Sequence, residues 1–469
     1  MEVDKKRFAV SMIFMSLIGL WWFWKFPANL GSELENAFGA LLGLHFFMQV
    51  LMVYAVSRSD ADLFEPIMLV LILYYCIFVY RPIVDIINND YKTFGIDPMS
   101  ACPKSCVIVA GSTLSFCLAY YSKFKIKNNA IQDKRTLGLN NSSEQILRNS
   151  YVIWMASFVI SVLNQLISGV SLSYILSMSM SGTVSDNVDT GIAALSFFTY
   201  SMIVPWMYIL IYERRRLVKI VITFFMLCIC FIRGKRIILI GMAATPILYY
   251  YLSRKKRPKA RHVLIAVMVA LFAISLMQFA RHGVRFGAND EFSWEDFSSV
   301  AITNVFDADF TTYKQFYAIV EAYPSSYSYT MGRAIIVQTL LTMIPRAIWP
   351  GKPQVVILDV IKNAVNEQAM NSGMAAPNIG EYYFEFGVFG CVVFMFLVGK
   401  IFRHWKEYIA SDEVDKWIMY SSLYCVIFQL IIRTSTASIV YQYIFTILPL
   451  YIIKKLSVGE SGLETEVEE

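Results

Sequence analysis

Charge is what this sequence has least of. Only 16% of its 469 residues are Asp, Glu, Lys or Arg, too few to clothe an ordinary soluble domain. The alternating strands of about 10 residues that mark a membrane barrel are missing, and no repeat of fixed period is visible. No small-residue cleavage site follows the first apolar run, Phe8 to Trp24, which is therefore expected to stay as a span rather than leave as a signal peptide. The eight cysteines are scattered, mostly within apolar runs, and show no zinc-site spacing. Cys102 and Cys106 fall where an exterior loop is expected, but a bridge this close in sequence needs a favourable turn, so isolated thiols are the expected state. A nucleotide-binding glycine loop and a carboxylate pair at metal-ligand spacing are also missing. Neither a metal nor any other cofactor is expected.

What is present is hydrophobicity. The chain is 57% hydrophobic and 15% aromatic, with a mean hydropathy of +0.52. Apolar runs of about 20 residues, the length a helix needs to cross a hydrocarbon core of roughly 30 Å, recur from end to end. This predicts an all-α polytopic membrane protein, a single integral membrane domain over residues 1–469 with about 12 transmembrane helices. The expected spans are Phe8 to Trp24, Ala37 to Val56, Phe64 to Tyr80, Cys106 to Tyr121, Val152 to Leu172 and Ile192 to Tyr212. Leu217 to Ile232, Ile237 to Leu252, Val263 to Ala280, Ile379 to Ile401, Trp417 to Ile432 and Ser435 to Ile453 complete them.

With the amino terminus inside, KFKIKNNAIQDKR, ERRRLVK and RKKRPKARH become cytoplasmic connections. They are the three most basic segments, as the positive-inside rule asks. Arg403, Lys406 and Lys416, then Lys454 and Lys455, keep the later inside segments basic and put both termini in the cytoplasm. The net charge of +6 is thus a matter of distribution, and nucleic acid is not an expected partner. The polar tail, residues 456–469, is expected to be disordered.

One connection stands apart, an exterior loop over residues 281–378; loops this long are commonly functional. Within it a helix is expected around Ser298 to Ala322, and Ala334 to Ile344 is apolar but too short to span. The turn PRAIWPGKP follows, stiffened by three prolines and a glycine, and presents Arg346, Trp349 and Lys352 near headgroup level. The same outer face gathers Arg233, Lys235 and Arg236 of RGKR, Arg281 and Arg285 of RHGVR, and Arg433. Each could snorkel to headgroup phosphate. Their convergence fits an anionic ligand instead, because guanidinium forks match phosphate oxygens bidentately. The dense aromatics Trp294, Phe306, Tyr313, Tyr317, Tyr323, Tyr327 and Tyr329 could cover sugar faces or serve as an interfacial belt.

RGKR, RHG, IPRAIWPGKP and NIGEYYFEFGVFG together resemble a bacterial O-antigen or repeat-unit polymerase, the Wzy family. The resemblance covers roughly the second half of the chain, and IPRAIWPGKP is its most specific part. It implies a GT-C-like glycosyltransferase architecture in the bacterial cytoplasmic (inner) membrane, with the active site facing outward. The implied substrates are undecaprenyl-diphosphate-linked oligosaccharides, and a chain-length regulator protein is an implied partner. The implied reaction transfers the growing glycan to a sugar hydroxyl of the next lipid-linked unit, with the lipid diphosphate as leaving group. Arg233, Arg236, Arg281 and Arg285 are then the first choices for contacts that stabilise the leaving group, without a metal, with Lys235, Arg346, Lys352 and Arg433 behind them. Glu381, Asp307, Asp309 and His282 are candidates for receiving the acceptor proton. An O-antigen ligase shares this chemistry, and a transporter or flippase of lipid-linked oligosaccharide remains a further alternative.

Overall fold

The computed structural model describes residues 12–467 apart from 59–63, 123–142, 168–192, 233–235, 255–309 and 345–347, and positions 14, 15, 18, 22, 23, 25–30, 350, 354, 372, 373, 410, 412 and 434. The described residues are helical and contain no strand. In chain order the helices are α1 (Ser32–Ser57), α2 (Pro66–Ile87), α3 (Met99–Tyr121), α4 (Ser143–Ile167), α5 (Leu195–Tyr212), α6 (Arg216–Ile232) and α7 (Arg236–Arg254). There follow α8 (Thr312–Ala322), α9 (Arg333–Thr342), α10 (Val356–Ala364), α11 (Glu367–Asn371), α12 (Asn378–Ile409), α13 (Val414–Ile432) and α14 (Thr436–Val467). Among the described residues seven of these, α1 to α5, α12 and α14, are long and apolar enough to cross a membrane. The expected ninth span, Val263 to Ala280, lies outside the described residues, as does most of the first. The chain is an all-α polytopic membrane protein.

Local chemistry sets several boundaries. Pro66 opens α2, where a missing amide hydrogen costs nothing. Further along, Pro82 cannot donate to the carbonyl four residues back, and α2 passes through a wide π turn at Cys76–Tyr80 just before it. Cys102 and Cys106, expected outside the membrane, lie within the first turns of α3 as free, buried thiols with sulfurs 3.9 Å apart. α14 reaches Val467, so helix covers most of the tail expected to be disordered. Leu456, Glu460, Leu463, Glu464 and Glu466 are good helix formers, and together they offset Gly459 and Gly462 in a helix already nucleated by its membrane-spanning half.

The two ends of the bundle differ in kind. At one, Lys406 reaches Glu65 at 3.2 Å, Lys454 reaches Asp415 at 2.6 Å, and Arg58 lies over the rings of Tyr54 and Tyr121. This is the basic end. At the opposite end a buried charged knot ties α8 to α2. Lys314 Nζ lies 3.2 Å from Asp85, and Arg81 Nε lies 2.8 Å from the other carboxylate oxygen, an ion pair rather than a directed hydrogen bond. Tyr313 Oη donates to Asp85 at 2.6 Å, and burial, then the carboxylate beside it, pushes the Tyr313 phenol well above its ordinary range. It stays a donor at any working pH. Tyr313 and Tyr317 are fully buried, so these two aromatics serve packing and not a sugar face.

The main departure from a simple bundle is in α12. The expected straight span Ile379 to Ile401 is broken at Phe386 (φ −138°) and Gly387 (φ 64°). Beyond the break the chain folds back on itself. Cys391 Sγ lies 3.4 Å from the carbonyl of Ile379, twelve residues earlier, and the Tyr382 and Phe394 rings stack at 5.1 Å. In a continuous helix twelve residues would span about 18 Å. Residues 378–385 therefore form a half-helix lying antiparallel against the long segment that follows, a re-entrant hairpin. Apart from Glu381 and Glu385 the run stays apolar across EYYFEFGVFG, so hydropathy alone does not register the turn. Gly387 makes it: a left-handed φ suits glycine, and a Cβ here would lie 2.8 Å from Tyr329 Oη. Gly390 allows the close approach, since its Cβ would lie 2.5 Å from the carbonyl oxygen of Tyr382. Gly387→Ala is expected to cost about 1–3 kcal/mol, seen as a lower unfolding midpoint of the purified protein in detergent. An unchanged midpoint would show that this turn is not built as described.

Candidate functional site

The half-helix carries two glutamates one turn apart, Glu381 and Glu385, with 1% and 0% of their surfaces exposed. Carboxylates this deep need donors at every turn. Glu381 finds them at the start of α14: Thr436 N–H donates to Oε2 at 2.9 Å and to Oε1 at 3.1 Å, and Thr436 Oγ1 donates to Oε2 at 2.5 Å. Glu385 finds them around the start of α9. Thr330 Oγ1 donates to its Oε1 at 2.5 Å, the Ala334 amide donates to the same oxygen at 2.6 Å, and the Gly332 amide donates to Oε2. The amides of Thr330 and Met331 donate to the carbonyls of Phe384 and Glu385 at 2.9 and 3.1 Å, which satisfies the end of the half-helix too. Each glutamate thus supplies in trans what a capping residue normally supplies in cis, and places negative charge at the positive end of a helix dipole. Tyr74 Oη, from α2, donates to Asn378 Oδ1 at 2.8 Å and holds the first residue of the half-helix.

Two arginines sit on the turns so fixed. Half-buried Arg433 closes α13 three residues before Thr436, and exposed Arg333 opens α9 between Gly332 and Ala334. The two turns are neighbours, because α9 packs on α14 and Tyr441 Oη donates to the Thr339 carbonyl at 2.7 Å. All of this lies at the end of the bundle away from Lys406 and Lys454. The rigid turn after α9 uses its lysine locally. Lys352 Nζ donates to the carbonyls of Ile344 at 3.1 Å and Thr342 at 3.5 Å, closing the end of α9 as a cation should. Trp349 is 40% exposed beside it.

Of the residues expected from sequence to form the site, Glu381 is bonded to Thr436, three residues after Arg433, and Lys352 and Trp349 lie at the far end of α9. Arg236 opens α7, and its side chain lies outside what is described. Arg233, Lys235, Arg281, His282, Arg285, Asp307, Asp309 and Arg346 also lie outside the described residues.

A sequence model of the O-antigen polysaccharide polymerase Wzy family matches residues 8–460, nearly the whole chain. The chain belongs to the Wzy family. It is accordingly an enzyme of the O-antigen polymerase class, a membrane transferase that makes polysaccharide. No curated protein and no solved structure matches it.

In this Wzy-family chain Glu385 and Arg333 are the residues that reading the sequence missed. The signal was available: two carboxylates four apart in NIGEYYFEF share one helix face, and a buried anion on each of two successive turns demands two sets of partners. If Glu381 and Thr436 act as one unit, Glu381→Ala and Thr436→Val should destabilise non-additively. A double-mutant cycle on the unfolding midpoint should give a coupling on the order of 1–2 kcal/mol, and strict additivity would show that the two are not paired.

Proposed function

We propose that this chain joins lipid-linked oligosaccharide repeat units at the outer face of the bacterial cytoplasmic membrane. It transfers the growing glycan from its undecaprenyl diphosphate carrier to a hydroxyl of the incoming unit. The acceptor oxygen bonds to the anomeric carbon while the bond from that carbon to the diphosphate breaks. The hydroxyl proton passes to a nearby base or water, and the lipid diphosphate leaves with the negative charge. Preorganised cations at that diphosphate stabilise the transition state more than the ground state, and guanidinium groups carry this role without a metal. The growing lipid-linked chain and the incoming unit are the two substrates, and a chain-length regulator would act on their supply.

The observation that carries this reading is the pair of buried carboxylates that mounts the turns of Arg433 and Arg333 at the end of the bundle away from its basic face. Lysine and arginine favour the cytoplasmic side, so the opposite end is assigned to the exterior, where a flipped lipid-linked unit waits. Glu381, whose carboxylate is engaged by Thr436, is assigned the role of positioning Arg433. The proton-accepting role falls to Asp307, Asp309 or His282. Arg233, Arg236, Arg281 and Arg285 remain the proposed diphosphate contacts from the other exterior turns, with Lys235, Arg346 and Lys352 around them.

Arg233→Ala, Arg281→Ala and Arg433→Ala should each lower polymerisation at least about 100-fold, read as loss of polymer ladders in cells with membrane insertion intact. The matching lysine variants should recover only part of it, because an ammonium lacks the planar fork. Full ladders from the alanine variants would remove those residues from the site. Purified protein in vesicles should elongate a defined diphosphate-linked unit without nucleotide sugar, whereas translocation without elongation would identify a transporter instead.

A further inference from the structure

Arg333 is mounted in an unusual way. Residues on both sides of it, Thr330, Gly332 and Ala334, are held by the carboxylate of Glu385. Its own amide donates to the Thr330 carbonyl at 3.2 Å. Met331 and Gly332 before it both adopt a left-handed φ, of 48° and 90°, a conformation that costs a non-glycine residue energy and persists where the surroundings impose it. Yet the guanidinium itself is exposed and makes no ion pair or side-chain hydrogen bond among the described residues. A fully buried carboxylate one residue away in contact terms is used on the backbone and leaves the neighbouring cation unpaired. A surface arginine that only meets water or snorkels to passing headgroups gains nothing from so rigid a mount.

The helix behind it adds the second observation. Arg333, Ile336, Val337 and Leu340 together leave one side of α9 bare: Arg333 is exposed, Ile336 is 56%, Val337 48% and Leu340 71% exposed. The opposite side of α9 is used, with Ala334 buried, Gln338 capping α10 through the Val356 amide at 3.0 Å, and Thr339 bonded to Tyr441. The bare stripe thus begins at a fixed cation beside the hairpin turn and runs along the side of α9 turned away from α14. This shape fits an anion joined to a long apolar chain.

We propose that Arg333 is a further substrate-contacting residue, taking the diphosphate of the polyprenyl-linked unit while the first isoprene units lie along Ile336, Val337 and Leu340. Glu385 is its positioning residue, as Glu381 is for Arg433. The inference rests on the polymerase reading above and adds to it a seat for the lipid. Bulk phospholipid would cover the same apolar stripe without needing the cation in one place. The substrate lipid does need it there, because its diphosphate must be presented at a fixed distance from the acceptor.

The test uses the full chain in vesicles of phosphatidylethanolamine and phosphatidylglycerol with a defined polyprenyl-diphosphate-linked unit. Arg333→Ala is expected to raise the apparent KM for that unit about tenfold with a smaller change in kcat, Arg333→Lys to recover part, and Glu385→Gln to shift KM in the same direction. A photoreactive residue in place of Leu340 is expected to label the polyprenyl chain, and added polyprenyl diphosphate, not extra phosphatidylglycerol, is expected to compete. An unchanged KM in Arg333→Ala, or labelling that phosphatidylglycerol suppresses equally, would overturn the inference. If Arg433→Ala is impaired while Arg333→Ala is not, the polymerase reading stands and Arg333 leaves it. A wild-type protein that elongates nothing removes both.

Discussion

Two buried carboxylates on a folded-back half-helix hold together the end of the bundle opposite Lys406 and Lys454. Between helices in a bilayer there is little hydrophobic drive, since lipid tails are as apolar as leucine, and association rests on close packing and polar contacts. The first amides of α9 and α14 turn into the protein, where they need acceptors from its interior. Glu381 and Glu385 answer that need directly, and the half-helix that carries them is in turn held by Asn378 and the rings of Tyr382 and Phe394. Remove the hairpin and the starts of α9 and α14 lose their acceptors together. Non-helical backbone at membrane depth is tolerated only where protein buries it or a cavity meets it, and the break at Phe386 and Gly387 meets that condition through Tyr329 and the turn before α9.

A second buried charged group stabilises the same end from another side. Asp85 takes Arg81 of its own helix together with Lys314 and the Tyr313 hydroxyl of α8, so parting α8 from α2 would strip this buried carboxylate of two of its partners. The segment preceding the hairpin is therefore fastened at α8 and again at α9. The two fastenings differ in composition: the α8 knot matches cations to anions, whereas the α9 clamp matches an anion to backbone amides. Only the second leaves a guanidinium on the surface.

Hydropathy and loop charge sufficed for the class of fold, because apolar length and basic connections are one-dimensional quantities. α1 to α7, α13 and α14 each overlap an expected span, and the short apolar segment expected not to cross is α9. What could not be read was the reversal inside α12. A half-helix packed on its own continuation has the same composition as a straight span, and its one local mark, Gly387, is shared with glycines in ordinary membrane helices. Motif spacing pointed to Glu381 and Arg433 but not to their relation, which depends on a contact 55 residues long in sequence. The spacing of Glu385 from Glu381 was legible, but not its bonds to the residues around Arg333, which are made across 51 to 55 residues.

Under the proposed function, the sharing of work between carboxylates and guanidinium groups follows from the charge a diphosphate site must offer. A glutamate paired directly with Arg333 would neutralise it and leave nothing to attract a diphosphate. A flexible arginine without a mount would be attractive but badly placed, and transition-state stabilisation requires charge already in position. Binding Glu385 to the amides on either side of the arginine separates the two demands. The anion is stabilised by the helix start it caps, the backbone beneath the cation becomes rigid, and the positive charge stays unspent. Because this depends on backbone donors, it constrains few side chains besides the glutamates, Gly332 and Gly387.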